Sequence, residues 1–314
     1  MPSVAIIGCG LIGRAWANVF ARSGWQVRVW DPDARTRSAA AAQIAQSLDD
    51  LAAHGLVADP ASAAARVGVH EHLEDAVEGV EHVQENGPED VDVKRATFER
   101  LDRAAPANAI LASSTSAIVA SRFTEALAGR ARCIVAHPVN PPHLVPVVEL
   151  CGAPWTSDET RARARAVYAS IGQSPIDVRR EIDGFILNRL QGALLAEAFR
   201  LVGEGYCSPQ DLDKTLADGL GRRWSFLGPF ATIELNAPGG IPDYCARYTG
   251  FYRRLQQEPA PATVWDERNW SQVVAQWGAT PDPDAMRERT RRRDERLAAL
   301  AAHLGAQARA HDDP

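Results

Sequence analysis

The chain has 314 residues, a length at which a single hydrophobic core usually gives way to two domains. Its formal net charge is −6 at pH 7, so it lacks the basic field that would hold nucleic acid or an anionic membrane surface. No apolar run reaches the roughly 18 residues that a membrane-spanning helix needs. We therefore expect neither nucleic acid nor a membrane among its partners.

The five cysteines are scattered and form no CxxC pair (Cys9, Cys133, Cys151, Cys207 and Cys245). This pattern predicts small buried side chains in a reducing compartment, not disulfides or a zinc site. The first strand pattern begins at Val4, which leaves no room for a signal peptide before it. We expect a cytoplasmic protein without a metal site, and interpret His70 and His72 as part of a solvated turn.

Residues 4–31 read as a strand, a glycine turn, a helix, a second strand and an acid. A GxGxxG turn alone is a weak signal, but this context is typical of a dinucleotide-binding Rossmann fold. Gly8 makes the tight turn, Gly10 lets the backbone approach a pyrophosphate, and Gly13 lets the helix pack against the strand. We expect the turn and the helix N-terminus to bind the pyrophosphate (Gly8, Gly10, Leu11, Ile12 and Gly13).

Asp31 ends the second strand pattern, where a carboxylate can accept hydrogen bonds from both hydroxyls of the adenosine ribose. Its negative charge repels a 2′-phosphate. The sequence therefore predicts NAD as the cofactor, in preference to NADP.

Strand and helix patterns continue to alternate beyond Asp31, which predicts a parallel sheet covered by helices. Further strands are expected at 67–69, 82–84, 109–112, 133–136, 147–150 and 175–178, and helices at 32–55, 73–79, 91–104 and 158–170. From Gly184 onward we find only helical patterns. We expect an α/β Rossmann domain over residues 1–181 and an all-helical domain over residues 182–314.

The stretch HPVNPPHLVPVVEL, residues 137–150, places an imidazole and a carboxylate around a proline-rich turn. Prolines disfavour helix, so His137 should lie on extended backbone. Glu149 lies in an apolar strand pattern and needs a partner there, and His137 is the natural candidate. A carboxylate on one imidazole nitrogen fixes the tautomer and raises the basicity of the other. The alternative is that His137 caps a loop while Glu149 meets an arginine.

Several polar residues follow predicted strands directly, including Glu89, Ser116 and His137. The carboxyl ends of parallel strands share one edge of the sheet, where ligands bind. The hydroxyl run 113–116 has a second interpretation, the N-cap of a helix that starts near Ala117, and both can hold for different hydroxyls. This convergence favours His137 and Glu149 as a catalytic pair.

The segments HPVNPP, GFILNRL, SPQDLD and GLGRRWSFLGP resemble those of the 3-hydroxyacyl-CoA dehydrogenase superfamily, and most of all its λ-crystallin and L-gulonate 3-dehydrogenase branch. The resemblance covers nearly the whole chain. It implies a Rossmann domain that binds NAD and a helical domain that binds substrate and forms homodimers. The resemblance further implies catalysis by His137 and Glu149, substrate and hydride-transfer contacts from Ser116 and Asn188, and cofactor contacts from Asp31, Glu89, Lys94, Ser116 and Asn140.

One departure from the acyl-CoA members bears on the substrate. They carry an Asn-His-type turn where this chain reads Arg222-Arg223-Trp224, within a stretch expected to be a glycine-punctuated loop at 219–229. Arg223 matches an arginine of the gulonate branch, and a guanidinium there could bind a free carboxylate bidentately, with Arg222 as a second candidate. The alternative is that both arginines are surface charges or serve the dimer.

We therefore expect NAD-dependent oxidation of the 3-hydroxyl of a small L-3-hydroxy acid, with L-gulonate to 3-dehydro-L-gulonate as the leading reaction. The alternatives are an L-3-hydroxyacyl-CoA or carnitine dehydrogenase, and a non-catalytic crystallin-like protein. Carnitine would call for an aromatic cage around its ammonium, and Trp224 alone does not make one.

Overall fold

The computed structural model describes residues 1–311 and divides into two compact units. Among the described residues, the first comprises 1–188 together with 290–311, and the second is Arg189–Arg289. This differs from the expected division into 1–181 and 182–314 because the end of the last helix returns to the first unit. Leu297 and Ala298 pack there against the N-terminal core.

Within residues 1–311, eight strands form one sheet in the order β3-β2-β1-β4-β5-β6-β7-β8. The strands are β1 Ser3–Ile7, β2 Gln26–Trp30, β3 Val67–Val69, β4 His82–Glu85, β5 Ile110–Ser113, β6 Cys133–Pro138, β7 Val147–Cys151 and β8 Ser174–Val178. All neighbouring pairs are parallel except β6 and β7, which are antiparallel. The sheet is therefore predominantly parallel, and β6 and β7 are antiparallel because residues 139–146 are too few for a crossover.

Helices cover both faces of the sheet in the first unit. They are α1 Leu11–Arg22, α2 Ala34–Ala53, α3 Pro60–Ala64, α4 Leu73–Val77, α5 Val91–Ala104, α6 Ser121–Thr124 and α7 Asp158–Ser170. Side chains of Asp33, Asp90 and Ser157 cap α2, α5 and α7 by accepting backbone N–H groups of the first turn. The helix expected near Ala117 begins only at Ser121.

Two hydrophobic cores lie on opposite faces of the sheet. One contains Trp16 and Phe20 of α1, and the other contains Phe98 of α5. Burying each of these side chains contributes roughly 1.5–3 kcal/mol. Cys9, Cys133 and Cys151 are fully buried, and burial raises the pKa of each thiol to about 12. The prediction of buried cysteines was wrong for two residues of the second unit, since Cys207 is half-buried and Cys245 exposed.

The rest of the described chain, residues 187–311, is helical and contains no strand. Its α-helices are α8 Leu187–Gly203, α9 Pro209–Lys214, α10 Gly221–Trp224, α11 Pro229–Leu235, α12 Gly240–Leu255, α13 Glu267–Trp277 and α14 Pro283–His311. Among residues 1–311 there is no helix both long and apolar enough to cross a bilayer. The predicted fold class, a Rossmann domain followed by a helical domain, is confirmed.

Candidate active site

The glycine turn after β1 has the geometry that pyrophosphate binding requires. Gly8 has a φ of +92°, which favours glycine. A Cβ on Gly13 would overlap the carbonyl oxygen of Gly8, so only glycine lets α1 start this close to the strand. A Cβ on Gly10 would meet nothing within 4 Å, so this backbone is open to approach from outside. The turn therefore fits a dinucleotide at the N-terminus of α1.

Asp31 lies directly after β2, beside the glycine turn. Its Oδ2 accepts a hydrogen bond from the backbone N–H of Cys9 at 2.7 Å, and its Oδ1 accepts one from the N–H of Asp33 at 2.9 Å. These two bonds hold the carboxylate at the end of β2, where the adenosine ribose of a dinucleotide would lie.

The four hydroxyls after β5 have different environments. Ser113 donates to Glu85, Ser114 donates to Asn86, and Thr115 donates to Glu89. Ser116 is exposed, and no residue in 1–311 hydrogen-bonds its hydroxyl. Ser116 is therefore the one hydroxyl of the run that is free to contact a ligand.

Glu89 organises the backbone of this run. Besides the Thr115 hydroxyl, its carboxylate accepts N–H groups of Ser116, Ala117 and Ile118 at 3.0–3.3 Å. Burial raises the pKa of Glu89, but these hydrogen bonds and the charge of Lys94 outweigh it and leave the pKa below its usual value. These bonds hold residues 116–118 in the turn before α6, which begins at Ser121.

Lys94 lies inside the protein, with only 1% of its surface exposed. Its ammonium contacts the buried Glu85 carboxylate at 3.0 Å, which also accepts the N–H of Gly87 and the hydroxyl of Ser113. In this structure Lys94 therefore fixes the loop after β4, and its contact with a cofactor stays a prediction.

His137 and Glu149 are directly opposite each other across the antiparallel β6–β7 pair. The imidazole Nδ1 lies 2.7 Å from Glu149 Oε2. The other oxygen, Oε1, accepts the backbone N–H groups of Ile186 and Leu187 at 2.8 and 3.0 Å, just where α8 begins. The proline-rich turn thus brings together the two residues that the sequence pattern paired, and the alternative in which Glu149 meets an arginine does not occur.

The carboxylate of Glu149 is fully buried. Burial alone would raise its pKa, but hydrogen bonds from His137, Leu187 and Ile186 hold the pKa below its usual value. Facing an ionised carboxylate, Nδ1 carries the imidazole proton in the neutral ring. Nε2 then has a free lone pair, and no residue in 1–311 donates a hydrogen bond to it.

Phe185 covers the imidazole and was not anticipated. Its ring centroid lies 5.4 Å from that of His137, and the side chain is fully buried. Its backbone φ is +48°, rare for an aromatic residue, and follows Gly184 at +76°. This turn aims the N–H groups of Ile186 and Leu187 at Glu149. A sequence offers no signal for positive φ at phenylalanine, so Phe185 could not have been found that way.

The remaining predicted residues are spread over both units. Asn188 donates from its side chain to the backbone carbonyl of Ser116 at 2.8 Å, so these two predicted substrate contacts are adjacent. Asn140 is exposed on the turn after His137. Arg222 and Arg223 lie on α10, which was wrongly expected to be a loop, because the helical backbone continues from α9 through residues 215–220.

Family models match almost the whole chain. The NAD-binding domain of 3-hydroxyacyl-CoA dehydrogenase matches residues 3–182, and the C-terminal domain of the same enzyme matches residues 184–272. The fold and these matches define an NAD-dependent oxidoreductase that acts on a 3-hydroxy group. The chain belongs to the 3-hydroxyacyl-CoA dehydrogenase family.

Individual relatives cover the chain nearly end to end. It is 41% identical over 303 residues to the λ-crystallin of Oryctolagus cuniculus, with 95% of each chain covered. It is 33% identical over 312 residues to an L-carnitine dehydrogenase of Pseudomonas sp, covering 99% of this chain and 96% of that enzyme. The structure of 5-formyl-3-hydroxy-2-methylpyridine 4-carboxylic acid 5-dehydrogenase, an NAD+-dependent dismutase, superposes with a TM-score of 0.84 at 27% identity, covering 97% and 99%.

Proposed function

We propose that this protein oxidises the 3-hydroxyl of a small free L-3-hydroxy acid, with L-gulonate as the leading substrate and 3-dehydro-L-gulonate as the product. The observation that carries the chemistry is the 2.7 Å contact of His137 Nδ1 with Glu149, which leaves Nε2 as the free base. NAD, when bound at the glycine turn, supplies the hydride acceptor.

His137 Nε2 takes the proton of the substrate hydroxyl as the C3–H bond breaks. Glu149 holds the ring in the required tautomer and stabilises the imidazolium that forms, without taking the proton itself. The exposed hydroxyl of Ser116 and the amide of Asn188 hydrogen-bond the reacting oxygen and fix C3 relative to Nε2. Such positioning can contribute several kcal/mol to the lowering of the barrier.

Arg223 supports a substrate with a free carboxylate. Its guanidinium is exposed and has no ion-pair or hydrogen-bond partner within the described chain, whereas Arg222 contacts Asp218 at 3.2 Å. Of the two, Arg223 is therefore the one available to bind an anion bidentately. The name of the pyridine dehydrogenase also indicates a substrate with a free carboxylate.

L-Carnitine is the second candidate, and one observation in the helical unit favours it. Tyr244, Tyr248 and Tyr252 form a row along α12, with ring centroids of the first two 4.6 Å apart. The hydroxyls of Tyr244 and Tyr252 lie 2.7 Å apart, and this hydrogen bond raises the pKa of Tyr244. Aromatic faces bind quaternary ammonium groups, so this row of tyrosines favours carnitine more than Trp224 alone does.

The substrate proposal is tested by NADH formation with L-gulonate, L-3-hydroxybutyrate, L-carnitine and L-3-hydroxybutyryl-CoA measured side by side. We expect the highest kcat/KM with L-gulonate, and a rise in KM for L-gulonate in Arg223→Ala but not in Arg222→Ala. A highest kcat/KM with the CoA ester would contradict a free-acid substrate, and carnitine in first place would select the second candidate.

We further propose a cytoplasmic homodimer formed through the helical unit. Leu190, Phe226, Phe230 and Leu235 of this unit are 66–74% exposed, and such apolar surface marks an interface. A second copy of the chain is the partner that the family resemblance implies. Analytical ultracentrifugation should give a molecular mass twice that of one chain. Phe230→Asp should lower the measured mass toward that of a single chain. A monomeric wild-type protein would contradict this proposal.

A further inference from the structure

A chain of hydrogen bonds runs from the interior of the first unit to the glycine turn. It begins at His82 in β4 and Tyr168 in α7, whose side chains are fully buried. His82 Nε2 lies 3.1 Å from the Tyr168 hydroxyl, and that hydroxyl donates to Gln84 Oε1. Since the tyrosine has given its one proton to Gln84, His82 must donate from Nε2.

The direction of the chain is preserved beyond Gln84. With its oxygen accepting from Tyr168, the Gln84 amide nitrogen donates to the Ser114 hydroxyl at 2.8 Å, and Ser114 donates in turn to Asn86 Oδ1 at 2.7 Å. Ser114 also accepts the indole N–H of Trp16, in α1, at 3.0 Å. Every hydrogen bond in the series is thus donated in the direction of Asn86. The side-chain amides of Gln84 and Asn86 each have only one orientation that makes all of these hydrogen bonds.

Asn86 connects the hydrogen-bond chain to the glycine turn after β1. Its amide nitrogen donates to the carbonyl of Gln84 at 2.9 Å and reaches the carbonyls of Ile7 and Gly8 at 3.4 and 3.5 Å. Its backbone fills the space where a Cβ on Gly8 would lie, 2.9 Å away. A reversed Asn86 amide would instead place its oxygen against three carbonyl oxygens.

We infer that Ser114, Gln84 and Tyr168 are positioning residues for the dinucleotide: through Asn86 and Trp16 they fix the glycine turn and the N-terminus of α1 for the pyrophosphate. The hydrogen-bond chain explains why Ser114, unlike Ser116, faces inward at the edge where ligands bind. The inference depends on NAD as cofactor and not on the identity of the hydroxy acid.

The experiment measures the Kd for NADH by fluorescence titration, without substrate, for Ser114→Ala and Tyr168→Phe. Ser114→Ala leaves Asn86 Oδ1 without its donor and the Trp16 indole N–H without its acceptor, so both contacts to the turn loosen and the Kd should rise about tenfold. Tyr168→Phe removes one hydroxyl at the far end of the chain and should raise the Kd severalfold, since the Gln84 amide loses its fixed orientation. Tyr168→Phe decides the outcome if Ser114→Ala does not fold.

The matched control is Thr156→Val. It removes a buried hydroxyl that donates to the Cys133 carbonyl at 2.7 Å and takes no part in the hydrogen-bond chain from His82 to Asn86. It should lower Tm while the NADH Kd stays within about twofold of the wild type. Two results would overturn the inference. One is an unchanged Kd for NADH in Tyr168→Phe and in every folded Ser114→Ala sample, and the other is a rise in this Kd in Thr156→Val as large as in the two variants. In either case the hydrogen bonds would contribute only to stability.

Discussion

The reactivity of His137 is set by a few atoms around Glu149. The carboxylate accepts three hydrogen bonds, one from the imidazole and two from the backbone, and this keeps its pKa low in spite of burial. A buried carboxylate without those donors would take up a proton and lose its effect on the imidazole. The pairing therefore depends on the turn at Phe185 as much as on the two side chains.

Glu149→Gln should lower kcat by about tenfold or more, since the imidazolium that forms in the reaction loses its counter-charge. For the same reason the acid limb of the pH–rate curve should move to lower pH. Steady-state NADH formation from pH 5 to pH 9 measures both effects.

Glu181→Gln is the matched control for this change. Glu181 also accepts a backbone N–H, that of Ser121 at 2.8 Å, but its carboxylate has no contact with His137. Its pH–rate curve should follow that of the wild type. If Glu149→Gln also leaves the acid limb in place, the carboxylate has only a structural role.

Much of the site at this scale could be predicted from sequence. A carboxylate in an apolar strand needs a partner, and a nearby histidine on proline-stiffened backbone supplied it. The environment of Lys94 could not be predicted, because its partner Glu85 ends a strand pattern like several other acids. The covering ring of Phe185 depends on a backbone conformation that phenylalanine rarely adopts.

At the scale of elements, the turn that precedes α8 is the critical connection. Gly184 and Phe185 are consecutive residues with positive φ, and the helix they introduce presents its first N–H groups to Glu149. A positive φ at a non-glycine residue such as Phe185 persists only where contacts with the surrounding structure hold it in place.

Gly184→Ala should destabilise the protein by about 1 kcal/mol or more, because φ is +76° there. It should also lower kcat, since the N–H groups that hold Glu149 shift. Thermal unfolding and NADH formation by the same sample test the two effects together.

Gly192→Ala provides the contrast within the same chain. Gly192 lies inside α8, and a Cβ there would meet nothing within 4 Å. Because alanine is the better helix former, the substitution should raise stability by roughly 0.5–1 kcal/mol and leave kcat unchanged. Equal effects of the two substitutions would mean that the turn at Gly184 carries no special constraint.

Element positions were predictable where local chemistry decides them, as in the β1–turn–α1 segment and at the start of α2, which Asp33 caps. They were not where a tertiary contact intervened. The Glu89 carboxylate, distant in sequence, holds the turn at residues 116–118, and β7 runs antiparallel to β6 because it pairs with that strand directly after a short turn.

At the scale of the whole molecule, the fully buried His82 and the half-buried His143 make stability depend on pH. Burial lowers the pKa of His82 and of His143 to about 4 from 6.5, so the folded state keeps both rings neutral. The unfolded chain protonates them as pH falls through 6.5. The contribution of the two neutral histidines to the free energy of unfolding is therefore fully present above pH 6.5. It is lost as the pH falls from 6.5 to about 4 and does not change further below that range.

The slope of the unfolding free energy in this window should be up to about 1.4 kcal/mol per pH unit for each of these two histidines. His82→Gln should remove one such contribution, so its curve against pH should be flatter than that of the wild type between pH 6.5 and 4. Denaturant titrations at several pH values measure the slope. His72→Gln, at an exposed turn, should leave it unchanged, and a wild-type slope in His82→Gln would refute the assignment.

The organisation of the molecule followed from sequence except at its C-terminus. The change from alternating patterns to helices marked the second unit, but the return of α14 to the first unit depends on Leu297 and Ala298 fitting a core that is distant in sequence. No local pattern in a charged, arginine-rich helix reveals that destination.

The role of His137 is tested most directly by turnover of His137→Ala at saturating NAD and hydroxy acid, measured as NADH formation. We predict that kcat falls by about 10²–10⁴-fold, the usual contribution of a general base, while the Kd for NADH stays close to that of the wild type. Turnover equal to that of the wild type would contradict the assignment of His137 as the base.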